Sequence, residues 1–194
     1  MPALYSPEWF SGFDILFELF FALISLTIAS FAYWIYTKSD QRSVKSLSFA
    51  FLLISLSYVA RSVPSATISL YAHIVLFLSG LAILVSMTLK QKKALCALLA
   101  ITLAFLLLFS NTLLAYYLIS SVFLVVISWH YIQNYLVHRQ TTALLVALAF
   151  IFLFFGSFHV FMSVNHEIFY FIGYALDLLA YILITVNLYL VLKK

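Results

Sequence analysis

The sequence predicts an all-α polytopic membrane bundle of seven transmembrane helices, with the N-terminus outside and the C-terminus cytoplasmic. Three observations lead there. The 194-residue chain is 66% hydrophobic and only 8% charged, with a mean hydropathy of +1.15, whereas soluble chains carry roughly 25% charged residues. Apolar runs recur from Phe13 to Leu192, each close to the ~20 residues that cross ~30 Å of hydrocarbon. The basic residues collect at alternate connections between those runs. Helices are expected because a helix satisfies its own backbone in lipid. Runs such as ALLAITLAFLLLF lack the alternation of a β-barrel strand.

The expected spans are residues 13–36, 44–63, 67–89, 94–110, 112–136, 141–163 and 167–192, broken at SDQRS, VPSA, KQKK, SN, HRQ and NHE. Lys38, Arg42 and Lys45 flank the first connection, Lys90, Lys92 and Lys93 the third, Arg139 the fifth, and Lys193 and Lys194 end the chain. Of the ten Lys and Arg residues, Arg61 alone falls outside this set. The positive-inside rule makes the basic side cytoplasmic. The expected setting is a multi-pass protein of a lipid bilayer, the cell membrane first, with the basic inner loops as the surface a cytoplasmic or membrane partner would read.

The first stretch, MPALYSPEWFSGFD, has no basic n-region ahead of its apolar run, so no cleavable signal peptide is expected. Cys96 is the single cysteine and lies in an apolar stretch, offering neither disulfide nor paired-cysteine metal motif. No nucleophile with an adjacent base, phosphate-binding glycine loop or nucleic-acid patch is identifiable. The connections are too short to fold by themselves. Activity is therefore expected between the helices, in a single domain spanning 1–194.

Residues 13–90 can be laid over 112–194, with 94–110 as a linker helix. FALISLTIASFAYWIY (21–36) aligns with YYLISSVFLVVISWHY (116–131), and AFLL (50–53) with AFIF (149–152). Tyr71 pairs with Tyr170. A three-plus-one-plus-three plan would make the two halves parallel. In span count and direction this resembles the rhodopsin-like seven-helix bundles and the sugar-transporting SWEET proteins. The resemblance covers layout alone. A retinal protein needs a lysine within the seventh helix, and here every Lys lies at a cytoplasmic end, so no retinal is expected. The sugar carriers place prolines within their spans, whereas Pro2 and Pro7 precede the first span and Pro64 lies in a turn.

Ionisable groups inside a span are costly and by default mark a pairing or a site. Five qualify: Glu18, Arg61, His73, His159 and Asp177. All fall in the outer half, where a bundle could gather them round one pocket. Asp177 is deepest, about 15 Å into its span at 1.5 Å per residue, and a carboxyl there has to be paired, protonated or hydrated. Tyr170, Gly173, Tyr174, Asp177, Tyr181 and Thr185 recur at three- and four-residue steps, a polar and aromatic stripe on one face. Each residue also has a plain structural reading. Arg61 can snorkel to headgroups. Glu18 can follow Asp14 as a favourable helix start. Arg61 can pair with Glu18 or Asp177, and the histidines can bond to neighbouring Tyr or Ser. His130 sits in SWHYIQNY, an interfacial aromatic belt. His166 and Glu167 belong to an outward turn.

His73, His159 and Asp177 are the expected set if a metal is held, and the two histidines could flank a haem. No HxxxH or HExxH spacing supports either, and a membrane-embedded metal hydrolase of the ceramidase and adiponectin-receptor kind is matched in span count only. The first functional expectation is a non-enzymatic binding protein, receptor-like or sensory. Its outer pocket would be lined by Asp177, His159, His73, Glu18, Arg61, Tyr174 and Tyr181. The alternatives are an accessory subunit with internally paired polar residues, and a small transporter using Asp177 and His159 as protonatable groups.

Overall fold

A computed structural model describes residues 10, 12–63, 68–89, 102, 112–163 and 166–192. Its elements are six helices: α1 (Phe13–Ser39), α2 (Arg42–Ser62), α3 (Ile68–Thr88), α4 (Thr112–His138), α5 (Thr141–Met162) and α6 (Ile168–Leu192). All six contain windows long and apolar enough to cross a membrane, as expected of a multi-pass helical membrane protein. The expected span over 94–110, with Cys96, lies outside the described residues apart from Thr102, as do the turn at Pro64 and the final lysine pair. Expected spans one to three correspond to α1–α3 and spans five to seven to α4–α6. The helices overrun the expected spans at several ends because the turns need only two residues.

Large apolar side chains cover the outside, and a few polar groups are buried within an otherwise apolar core. Leu16, Leu19, Phe20, Leu23 and Leu26 of α1 are exposed, while Glu18 and Ser25 on the same helix are buried. That inversion suits a lipid surround, in which exposed leucine costs nothing and an exposed carboxylate costs much. At the basic end Lys38 lies over the Trp34 ring at 3.9 Å and Arg139 over Tyr135 at 5.8 Å, an interfacial arrangement of cation and aromatic.

The helices close a ring in chain order. α1 packs on α2, α2 on α3, α4 on α5 and α5 on α6, while narrower contacts join α3 to α4 and α6 to α1. Ser48 and Ser55 of α2 donate to the Ala29 and Ala22 carbonyls of α1, each at 2.8 Å. Small residues set the close crossings. Gly80 of α3 abuts the Ala50 carbonyl of α2, and Gly156 of α5 faces Gly173 of α6.

α1 and α2 bury residues at the same spacing as α4 and α5. In α1 the buried set includes Phe21, Ala22, Ser25, Ile28, Ala29 and Ala32; in α4, at the same spacing, it includes Tyr116, Tyr117, Ser120, Phe123, Leu124 and Ile127. Ala50, Phe51 and Ile54 of α2 are matched by Ala149, Phe150 and Leu153 of α5. The α1–α2 and α4–α5 turns are alike. Asp40 (φ 51°) and Arg139 (φ 54°) are both left-handed, which ends a helix by bonding its last carbonyls. Asp40 N–H donates to the Tyr36 carbonyl at 2.9 Å and Arg139 N–H to the Tyr135 carbonyl at 2.7 Å. Gln41 and Gln140 then follow in extended conformation and start the next helix.

Direction follows from which ends touch. His73 and Phe77, early in α3, meet Tyr116, early in α4. Thr88, at the end of α3, shares a cavity wall with Val137 and His138, at the end of α4. α3 and α4 therefore run the same way. So do α1 and α6, since Glu18 meets Tyr174 near their starts and Ile28 and Ile184 line one cavity further down.

Candidate functional site

At the end opposite the lysines, four helices converge on an ion pair. Arg61 Nε of α2 lies 2.6 Å from Glu18 Oε1 of α1. The Tyr174 hydroxyl of α6 donates to the same carboxylate oxygen at 3.0 Å, and Arg61 Nη1 donates to the Tyr117 hydroxyl of α4 at 3.0 Å. The Tyr170 hydroxyl lies 3.2 Å from that of Tyr174. Phe10 packs edge-on against Tyr170 and Tyr174, and Phe17 and Phe21 pack against Tyr174 from below. Glu18 is buried while the Arg61 side chain remains 19% exposed, so the long arginine reaches inward from the interface to meet a carboxylate that has no access to water of its own. Such a pair persists in a low-dielectric setting only with extra hydrogen bonds to its remaining atoms, and the tyrosines supply them.

Below the ion pair lies a second polar layer. His73 of α3 is completely buried. Its Nδ1 is 3.0 Å from the Ser57 carbonyl and its Nε2 2.9 Å from the Tyr116 hydroxyl. A carbonyl only accepts, so Nδ1 carries a proton, and in the neutral ring Nε2 accepts from Tyr116. Tyr181 of α6 donates to Tyr58 of α2 at 3.1 Å. These bonds join the first three helices to the last three through tyrosine hydroxyls, alongside aromatic packing such as Phe21 on Tyr181 and Phe77 on Tyr116. Replacing Tyr116 by Phe is expected to cost about 0.6–1.7 kcal/mol, the range for hydrogen bonds between membrane helices. The thermal midpoint in mild detergent checks it; no loss would mean that Tyr116 does not hold His73.

Within the same interior three side-chain oxygens are buried with no hydrogen-bond partner among the described residues: Ser120 Oγ, Asp177 Oδ1 and Asn187 Oδ1, while the Ser25 hydroxyl, also buried, lies at the Tyr181 hydroxyl. Buried polar atoms without partners are scarce in folded proteins, and each asks for a water, an ion or a ligand. Ser25 and Ser120 are the matching serines of the two LIS segments. Asp177 is pressed against the bare Cα of Gly156, where a Cβ would overlap its carboxylate.

Towards the basic end the interior opens into a cavity of about 240 Å³. Five of the six helices border it: Ile28 from α1, Phe51 from α2, Tyr131 and Asn134 from α4, Phe150 from α5 and Asn187 from α6, with Gln140 at the turn. The buried Ile28, Phe51 and Ile184 form its inner wall, towards the polar layer.

The expected site thus divides. Glu18, Arg61, Tyr174 and Tyr181 do converge, with His73 beside them. They converge on one another, and the described cavities lie elsewhere. Among the described residues, Phe10 and Phe17 pack on the tyrosines that surround the pair. His159 takes another course. Its Nδ1 donates to the Phe155 carbonyl of its own helix at 2.7 Å, and its ring sits among Phe155, Phe158 and Phe169. The metal set does not form: no group of three or more His, Cys, Asp or Glu side chains is placed to hold an ion among the described residues. Both His73 nitrogens are engaged within the bundle, by the Ser57 carbonyl and the Tyr116 hydroxyl.

Sequence reasoning passed over Tyr58, Tyr116, Tyr117, Asn134, Gln140, Asn187 and the two serines. The shared LIS was the available signal for the serines, and a lone Asn in TVNLYLVL for Asn187. Comparison with known proteins finds no family model, no curated protein and no solved structure that matches the chain.

Proposed function

We propose that this protein is a small membrane carrier, built of two parallel three-helix units that move against each other about a shared polar interior, and held here closed outside and open to the cytoplasm. The observation that carries the proposal is the asymmetry of that interior. One end is sealed by the Arg61–Glu18 pair and its tyrosines. The other opens into a cavity bordered by both units, and unpartnered polar atoms lie in the interior. An internally paired scaffold has no use for the free Ser120, Asp177 and Asn187 oxygens. A receptor needs its space at the sealed end.

Seven spans and an outside N-terminus belong to this proposal. α3 ends at the basic end, whereas α4 begins at the opposite one, so the chain between them has to recross the bilayer. Residues 94–110 are apolar, and as a helix they would cover about 25 Å at 1.5 Å per residue. The basic end is the cytoplasmic one by the positive-inside rule. The matched burial of α1 with α4 and of α2 with α5 supports a duplication, and a parallel repeat places a solute path at the boundary of its halves.

Single cysteines in a Cys96→Ser background test this with a membrane-impermeant maleimide. Asn187→Cys is expected to react from the cytoplasmic face only. Ser25→Cys is expected to stay unlabelled from outside until Arg61→Ala is added, which breaks the seal. Rapid labelling of Ser25→Cys from outside with Arg61 intact would favour a receptor pocket. No labelling of either cysteine from either face, with or without Arg61, would leave a dry scaffold.

A further inference from the structure

Resting on the carrier reading, we infer that the inner cavity is the solute site and that it takes a small uncharged molecule bearing several hydroxyl groups. The lining decides the chemistry. Its polar members are Asn134, Gln140, Thr142, Asn187 and the Tyr131 hydroxyl, and no charged side chain lines it among the described residues. Amides and hydroxyls present donors and acceptors together. A ligand hydroxyl does the same, so each contact is satisfied whichever way an amide is turned. The unpartnered Asn187 Oδ1 is where such a group is missing; a flipped amide would ask for an acceptor instead, which a hydroxyl also supplies.

The rest of the wall is apolar and partly aromatic. Tyr131 and Phe150 stack with ring centroids 5.8 Å apart and planes 6° from parallel, and Phe51 adds a further ring. These faces suit the C–H side of a polyol and offer nothing to a full charge. An anion or cation would lose its hydration with no counter-ion to replace it, which is strongly unfavourable. Size is bounded too. About 240 Å³ is below the ~300–1,000 Å³ of drug-sized sites, and at ~30 Å³ per water it equals roughly eight waters.

The test uses the full chain in mild detergent, with glycerol, xylitol and glucose as neutral probes and gluconate and glucosamine as charged ones. At least one neutral probe is expected to raise the thermal midpoint saturably, and the charged analogues to leave it unchanged. Asn187→Leu should weaken that response about tenfold, the worth of one hydrogen bond to a buried group. If Asn187→Leu does not fold, Thr142→Val takes its place. Stabilisation by gluconate or glucosamine equal to that by the neutral probes overturns the inference, as does no response to any neutral probe.

Proteoliposome uptake separates this from the carrier reading. A polyol that binds through Asn187 yet never crosses supports the site and sinks the carrier. Asn187-dependent passage of a charged probe, with no polyol passing, keeps the carrier and sinks the substrate class.

Discussion

Arg61→Leu is expected to lower stability by about 3–5 kcal/mol, the cost of leaving a buried charge without its partner. Glu18 is the group left behind. It is buried beside Tyr174, with Arg61 as its ion-pair partner. Arg61 keeps 19% of its side chain exposed, so the lower end of that range applies, and a fall in thermal midpoint on the order of 10 °C follows for a chain of this size. The double change Glu18→Leu with Arg61→Leu is expected to recover most of the loss. Buried pairs replaced by apolar residues of similar volume are often neutral or stabilising. If the double variant is as unstable as the single one, the pair is not the source of the effect. The carrier reading adds a second readout: both variants should leak small solutes from the outer side.

Gly173→Ala is expected to destabilise by about 1–3 kcal/mol through overpacking, against which alanine regains about 1 kcal/mol of helix propensity. Overpacking wins because the neighbour is backbone. A Cβ at Gly173 would lie 2.9 Å from the Gly156 carbonyl oxygen and 2.5 Å from Val160 Cγ2, so α5 and α6 would have to part. Gly156→Ala makes an instructive companion. Its Cβ would overlap the Asp177 carboxylate, which is a side-chain end and can swing aside, while the Gly173 carbonyl at 3.0 Å is only tight. Gly156→Ala should therefore cost less stability than Gly173→Ala but disturb uptake more, because it evicts Asp177. Equal losses of stability and uptake in the two variants would argue that Asp177 is merely packed there.

Much of the architecture was legible in the chain. Helix positions followed from the length of apolar runs, since lipid admits few alternatives for a backbone. The lateral order of the helices was not legible, and neither was the side on which each polar residue closes. Arg61 illustrates why: near an interface, snorkelling and inward pairing make the same sequence pattern, and only the position of α1 beside α2 selects the pair with Glu18. His159 and Asp177 illustrate the reverse. They sit at comparable spacing from Gly156 and Gly173, yet one turns back to its own helix while the other is held against a bare Cα across the crossing.

The sequence by itself determined the class of molecule, the run of helices, the basic end and the residues too polar for lipid, because burial in hydrocarbon is a local penalty that each residue meets alone. Only the tertiary structure decided that the outer groups satisfy one another through tyrosines on the opposite half. It alone set the unpartnered atoms in the interior and the open cavity at the basic end. Those are properties of pairs and distances between helices, and hydropathy along one chain carries no record of which helix stands beside which.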